Sequence, residues 1–183
     1  MNEKFSMCVP FNPNLKGRLG GNPPVVIESL IPENYIFYAT LIHPKKENSM
    51  LSILIHESFD TRIDNNIYPE IVVKVIEHEY SEQGSLENKR ADGMSMHSIS
   101  DYDEEVDDKD FFLVKAGGAP RLIQFNDYYY KDLNYNHSYL LQIDEEGYSD
   151  DLVADNYPFN YGALYLYEEN ETNEVIAGFW QYS

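Results

Sequence analysis

Short runs of β-branched and aromatic residues recur along this chain, each closed by a cluster of Asn, Asp, Gly or Pro, while helical periodicity is weak throughout. Apolar runs of about four to eight residues between turns read as strands, and strands must pair into sheets to satisfy their backbone groups. The pattern predicts strands at 35–42, 50–56, 70–77, 111–115, 120–125, 138–144, 162–168 and 175–181. With 183 residues the chain suits one domain, 1–183, long enough to bury roughly two-thirds of its unfolded surface. The expected class is α+β but predominantly β, with antiparallel or mixed sheets and few helices.

Run 35–42 is apolar on both alternating sets, Tyr35, Phe37, Ala39 and Leu41 on one and Ile36, Tyr38 and Ile42 on the other, as in a central strand covered on both sides. In 162–168, Ala163, Tyr165 and Tyr167 alternate with Leu164 and Leu166, so one face reads as a tyrosine surface at the edge of the core.

The order of motifs repeats. Gly20-Gly21-Asn22-Pro23, then Val25 to Ile27, an aromatic strand and the run 50–56 are followed by Gly117-Gly118-Ala119-Pro120, then Leu122 and Ile123, the run 139–143 and the run 162–167. Either the chain is built from two related β-rich halves, 15–80 and 111–183, or two Gly-Gly-Pro turns arose independently. The connector 81–110 carries Met94, Met96 and Ile99 as its few apolar residues and ends in an acidic run from Asp101 to Asp110, the composition of a solvated loop.

Charge is distributed unevenly. The net charge is −19, and residues 132–183 hold eleven Asp or Glu and no Lys or Arg, with eight tyrosines among them. Such a surface repels nucleic acid and anionic membranes and steers basic partners toward it. Hydrophobic content of 43% and aromatic content of 14% exceed those of a disordered acidic chain, so the charge decorates a folded core. Cys8 is the only cysteine, which excludes an internal disulfide and fits a reducing compartment. The start of the chain lacks the basic and apolar regions of a secretory signal, and no run approaches the ~18 to 20 apolar residues of a membrane span. A cytoplasmic protein is expected.

Short motifs here resemble the YwqG-like family of bacterial proteins: the turn Gly117-Gly118-Ala119-Pro120, the strand Leu140-Leu141-Gln142-Ile143-Asp144, the strand start Gly162-Ala163-Leu164-Tyr165 and the opening turn Leu19-Gly20-Gly21-Asn22-Pro23. The resemblance implies an α+β fold of two related β-rich halves, no established enzymatic activity and no catalytic residues to carry over. Members of that family are found among immunity proteins that neutralise bacterial polymorphic toxins. The chain departs from the pattern in being shorter, and the acidic, often Trp-containing segment after the Leu-Leu-Gln-Ile-Asp strand is replaced by 145–156.

Catalytic and cofactor signatures fail on inspection. Counted from Asp101, an EF-hand loop would need Gly and Glu where Val106 and Phe112 stand. His43, His56, His78, His97 and His137 lack the paired spacing of zinc-binding helices; His56 and His78 sit beside glutamates, which leaves a mixed site assembled by the fold open. There is no Gly-x-Ser-x-Gly elbow, and Cys8 has no identifiable base. Gly17, Gly20 and Gly21 beside Lys16 and Arg18 match neither phosphate-binding fingerprint, and Pro23 and Pro24 forbid the helix such a loop needs. No enzyme, cofactor or metal is expected.

The strongest functional candidate is segment 144–161. It is either a solvated loop with its aromatics tucked into the core or a binding surface made of Asp144, Glu145, Glu146, Tyr148, Asp150, Asp151, Asp155, Tyr157 and Tyr161, with Tyr128-Tyr129-Tyr130 as an extension. Tyrosine offers large rigid contact area, and carboxylates pair with Lys and Arg of a partner. The expected function is an acidic binding protein, an immunity protein that covers the cationic site of a basic, nuclease-like toxin domain acting in the cytosol. The alternative is a small-molecule or metal-binding protein, or an enzyme, with its site in a cleft between the two β halves.

Overall fold

The computed structural model describes residues 1–59, 62, 64–106, 111–154 and 157–182. The strands are β1 (Lys4–Ser6), β2 (Cys8–Pro10), β3 (Gly17–Leu19), β4 (Tyr35–Ile42), β5 (Ser49–His56), β6 (Val73–Glu79), β7 (His97–Ile99), β8 (Val114–Ala116), β9 (His137–Asp144), β10 (Ala163–Glu169) and β11 (Val175–Gln181). They pair antiparallel into a six-stranded sheet, β2-β7-β3-β4-β5-β6, and a five-stranded sheet, β1-β8-β9-β10-β11. The helical segments among the described residues are short 3₁₀ turns. The chain is thus predominantly β, as the sequence pattern requires.

The two sheets share an order over five strands, with β2 added at the edge of the first. β3 to β6 form one antiparallel meander and β8 to β11 another, and the strands that precede them are exchanged: β1 pairs with β8, while β7 pairs with β3. Residues 97–99, expected to lie in a solvated connector, therefore form a buried strand between β2 and β3. The acidic tip 107–110 lies outside the described residues.

Register matches as well. Arg18 faces Thr40 across β3 and β4 as Lys115 faces Gln142 across β8 and β9. Each second strand carries a β-bulge at the equivalent place, leaving Tyr38 unpaired against β5 and Leu140 unpaired against β10. A bulge shifts the alternation of side chains by one. Tyr38, Ala39 and Leu41 consequently all enter the core between the sheets, and Phe37 points to the outer face. Strict alternation across 35–42 fails for this reason, and the same shift buries both Leu140 and Leu141.

Each sheet also has a covered outer face, so the molecule has four layers. Over the first sheet, Ile27 from the 3₁₀ turn Val25–Leu30 packs on Phe37 and Leu54. Over the second, Tyr129 and Leu133 pack on Tyr165, Tyr167 and Phe179, which buries the tyrosine face of β10 rather than leaving it at the edge.

Segment 120–125, expected as a strand, is not one. Its backbone is held by two buried glutamines: Gln142 Oε1 accepts from Arg121 N (2.7 Å), and Gln181 Oε1 accepts from Ile123 N (2.9 Å) and Gln124 N (3.1 Å). Their amide nitrogens donate back to Arg121 O and Gln124 O. Side-chain amides do here what a neighbouring strand would do.

The glycine turns enclose the exchange of strands. Gly117 and Gly93 share a left-handed φ, +75° and +73°, yet a Cβ on Gly117 would run into the Asn2 carbonyl while one on Gly93 would meet nothing within 4 Å. Gly93→Ala is expected to cost about 1 kcal/mol from backbone conformation alone, and Gly117→Ala more than ~2 kcal/mol because the backbone at Met1 and Asn2, ahead of β1, must also move. Urea unfolding of both variants checks this; equal losses would show that the close approach of Asn2 contributes nothing.

Candidate binding surface around the segment 144–161

β9 ends at Asp144, whose carboxylate accepts from Glu146 N (3.0 Å) and so caps the 3₁₀ turn Glu145–Gly147. Burial raises the Asp144 carboxyl above its usual value. Glu145 lies inside: Oε1 accepts from Phe159 N at 2.7 Å and Oε2 from Gly162 N at 3.1 Å, which ties the two ends of the loop together. Tyr148 Oη donates to Glu145 at 3.4 Å and shares a short hydrogen bond with Tyr38 Oη of β4. Burial pushes the Glu145 carboxyl up to about 8, against the pull of its backbone donors, and raises both phenols.

This scaffold corrects two of the expected contact residues. Glu145 and Tyr148 are buried and cannot reach a partner; they hold the loop. Glu146, Asp150, Asp151 and Tyr161 are exposed, Asp144 and Tyr157 are half-buried, and Asp155 lies outside the described residues. Phe159 is fully buried against Tyr38, Phe59 and Trp180 and plugs the space between the sheets. Next to it, Asn160 and Tyr161 adopt left-handed φ values of 52° and 60°, which non-glycine residues hold at a cost of about 1 kcal/mol or more each. Tyr161 stacks on Tyr157 at 4.1 Å, and Tyr157 on Tyr148 at 5.4 Å, a ladder running from solvent into the core. Tyr128, Tyr129 and Tyr130 belong instead to the outer layer of the second sheet, where Tyr129 is buried.

The connector fixes the loop's other side. Ser95 N donates to Leu152 O (2.7 Å) and Ala154 N to Gly93 O (2.9 Å). Buried His97 on β7 meets exposed Asp151 through Nε2 at 3.0 Å and Ser95 Oγ through Nδ1 at 3.2 Å. These three side chains superficially suggest a nucleophilic relay. Ser95 Oγ, however, donates to the Asp151 carbonyl at 2.7 Å, so its proton is engaged with the backbone and the group orients Asp151 instead.

Beside the loop opens a cleft of about 500 Å³. Ile36, Ile55 and Phe59 from the first half, Val153 and Pro158 from the second, and Met94 from the connector give it apolar walls. Its polar groups are His56, Glu57, Asp92, Tyr157 and Asn160, and among the described residues no Lys or Arg lines it. Glu57 and Asp92 are exposed, and among the described residues neither is paired with a cation. His56 Nδ1 accepts from Ser58 N (3.1 Å), which leaves Nε2 as the donor of the neutral ring. The cleft can therefore hold a cationic or amide group between carboxylates and an aromatic ring.

Sequence spacing did not single out the cleft: its polar residues come from β5, the connector and the loop, and nothing local links them. His56 and His78 lie at opposite ends of the β5–β6 pairing, about 20 Å apart at ~3.3 Å per residue, so they cannot share a metal. Both ring nitrogens of His78 are already bonded, to Ser52 Oγ and Glu79 O. Among the described residues no group of three side chains could hold a metal ion, and no helix is long and apolar enough to cross a membrane.

Comparison of the chain with family models, with curated proteins and with solved structures returned no match.

Glu145 has a measurable signature. Its carboxyl rises from 4.5 to about 8 on folding, so the folded state holds the proton more tightly; its contribution is complete below about pH 4.5 and is lost as pH climbs through 8. Glu145→Gln keeps one acceptor but sets an N–H against Gly162 N. The variant is expected to be the less stable protein near pH 5 and to converge with the wild type near pH 9, the difference shrinking by a few kcal/mol across that range. Urea titrations at several pH values test it; a pH-independent difference would show that Glu145 is ionised throughout.

Proposed function

We propose that this protein is an acidic binding protein that inhibits a basic protein partner, and specifically an immunity protein against a nuclease-like bacterial toxin domain acting in the cytosol. The observation that carries this reading is the joining of exposed carboxylates to an acidic cleft: Glu146, Asp150 and Asp151 on a pinned loop, Glu57 and Asp92 on the cleft beside it, and among the described residues no Lys or Arg in the lining. The resemblance of the Gly-Gly-x-Pro turn and the Leu-Leu-Gln-Ile-Asp strand to the YwqG-like family supports it.

In this reading the carboxylates stand where the phosphates of a nucleic-acid substrate would lie, and they occupy the partner's cationic site. Long-range attraction raises the encounter rate by roughly 10- to 1,000-fold at low salt. Tyr157 and Tyr161, already stacked and rigid, then bury apolar surface at low entropic cost and slow release. The buried Glu145 keeps the loop from having to order on binding.

A second reading has one specific observation behind it: the cleft's volume of about 500 Å³ lies within the range of small-molecule sites, and its walls come from both halves. Thermal shift against a metabolite panel and divalent metals separates the two readings. A rise of several degrees with one compound favours the small-molecule site, and a flat response favours the protein partner.

For the protein partner, the direct test is co-expression with the product of the adjoining gene. Growth should be protected, and association measured by stopped flow should slow steeply with salt. Glu146→Gln, Asp150→Asn and Asp151→Asn together should reduce the association rate about tenfold and flatten its salt dependence, whereas Tyr161→Ala should raise the dissociation rate about tenfold. Absence of both binding and protection would end this reading.

A further inference from the structure

Arg18 and Lys115 are one structural device used twice, with a single difference. Each is the residue two before a Gly-Gly turn, each is buried, and each folds back to donate to the carbonyls two and four residues ahead. Lys115 Nζ donates to Gly117 O (2.8 Å) and Ala119 O (2.7 Å); Arg18 donates to Gly20 O and Asn22 O, both at 2.5 Å. Each lies over the ring at the matching position of the next strand, Lys115 at 5.6 Å from Tyr139 and Arg18 at 4.7 Å from Phe37.

The difference is the counterion. Lys115 is paired with Glu3 at 2.9 Å, and Glu3 lies against the second glycine of the turn, where a Cβ on Gly118 would stand 2.5 Å from its Cγ and Oε1. At the equivalent place, a Cβ on Gly21 would meet the side-chain oxygen of Gln83 and, at 2.9 Å, the sulfur of Met96. A neutral amide and a thioether thus occupy the place of a carboxylate. Among the described residues no Asp or Glu pairs with Arg18, although only 7% of it is exposed and burial draws its pKa down to about 10. A guanidinium buried without a counterion is an unmet electrostatic demand.

Beside Arg18 opens a cavity of about 230 Å³. Arg18, Lys16, Tyr80, Gln83 and Met96 line it, with Lys16 Nζ 5.7 Å from the Tyr80 ring and exposed Glu82 also in the wall. We propose that this cavity is a carboxylate-binding site, in which a ligand supplies to Arg18 the group that Glu3 supplies to Lys115 within the chain. Arg18 keeps free N–H donors for a carboxylate after serving its two carbonyls, and Lys16 adds a second positive charge. The volume suits a carboxylate with a short aliphatic stem, from a free organic acid or from an acidic side chain of a peptide. Blocking a basic partner through the acidic loop does not require this site, so the two proposals fail separately.

The test compares sodium acetate, sodium succinate and a short glutamate-containing peptide with sodium chloride at equal ionic strength, followed by thermal shift and by amide and Arg Nε–H NMR shifts. At millimolar concentration at least one carboxylate should raise Tm by about 2 °C or more beyond chloride and move the signals of Arg18, Tyr80 and Gln83. A response to the peptide alone would assign the carboxylate to a protein, and a response to acetate or succinate would assign it to a small acid. Gln83→Glu should install the missing counterion, raise Tm without ligand and reduce the response to the chloride level. Lys16→Met, at an exposed position, should weaken binding several-fold, which keeps the proposal testable if Gln83→Glu does not fold. No response beyond chloride in the wild type, a full response in Gln83→Glu, or unchanged binding in Lys16→Met would overturn the proposal.

Discussion

In each Gly-Gly turn a buried cation folds back beneath the backbone and donates to two of its carbonyls. Left-handed glycines at 20, 21, 117 and 118 turn backbone carbonyls away from any strand that could donate to them. The Gly20 and Gly117 carbonyls are buried and need donors, while those of Asn22 and Ala119 lie nearer the surface. A long cationic side chain two residues earlier has the reach, and its charge-assisted bonds contribute roughly 1.5–3 kcal/mol each, enough with an aromatic ring beneath to offset much of the desolvation. Once the turn is held, β3 and β8 lie within their sheets, the chain leaves toward the outer face, and the segment that follows covers that face. In each half the order of layers follows from one buried side chain.

Carboxylates are sorted by the same accounting of partners. Within the base-free stretch, Glu145 is enclosed by backbone N–H groups, Glu168 is buried and paired with Lys45, Asp144 caps a turn, and Glu169 accepts from Glu171 N and Thr172 N. These acids serve the fold. Glu146, Asp150 and Asp151 have their side chains in solvent, and Asp151 is aimed by His97. The acidic character read from composition therefore divides into a structural set and a displayed set, and only the displayed set can meet a partner.

The long strands were legible in sequence because seven or eight residues give the apolar pattern room to declare itself: β4 and β11 match the expected bounds, and β5, β6, β9 and β10 lie within a few residues of theirs. β1, β2, β3 and β7 were not legible, since three residues carry no periodicity, and β7 sits in a polar connector. Strict alternation misplaced Ala39 and Leu41 relative to Phe37 because no side chain announces a bulge. Segment 120–125 has strand composition but finds its hydrogen bonds in Gln142 and Gln181, a tertiary fact. At the candidate site, the exposed Glu146, Asp150, Asp151 and Tyr161 were readable as polar or aromatic loop residues. Glu145 was not separable from Glu146, because adjacent residues of one type differ only in which way the turn points them.

The net charge of −19 bears on the two proposed sites in opposite senses. Exposed carboxylates on the loop attract a basic partner over distances comparable to the Debye length, about 8–10 Å at physiological salt, so added salt weakens that encounter. The same field repels an anion approaching Arg18, and added salt screens that repulsion too. Once the anion is seated, its contact with Arg18, a residue only 7% exposed, is screened less by the bulk ions. Salt that slows the first association thus weakens the second only through the exposed Lys16, and a strongly acidic protein holds an anion best where depth replaces long-range attraction. Arg18 lies at such a depth, and the acidic loop has no comparable cation.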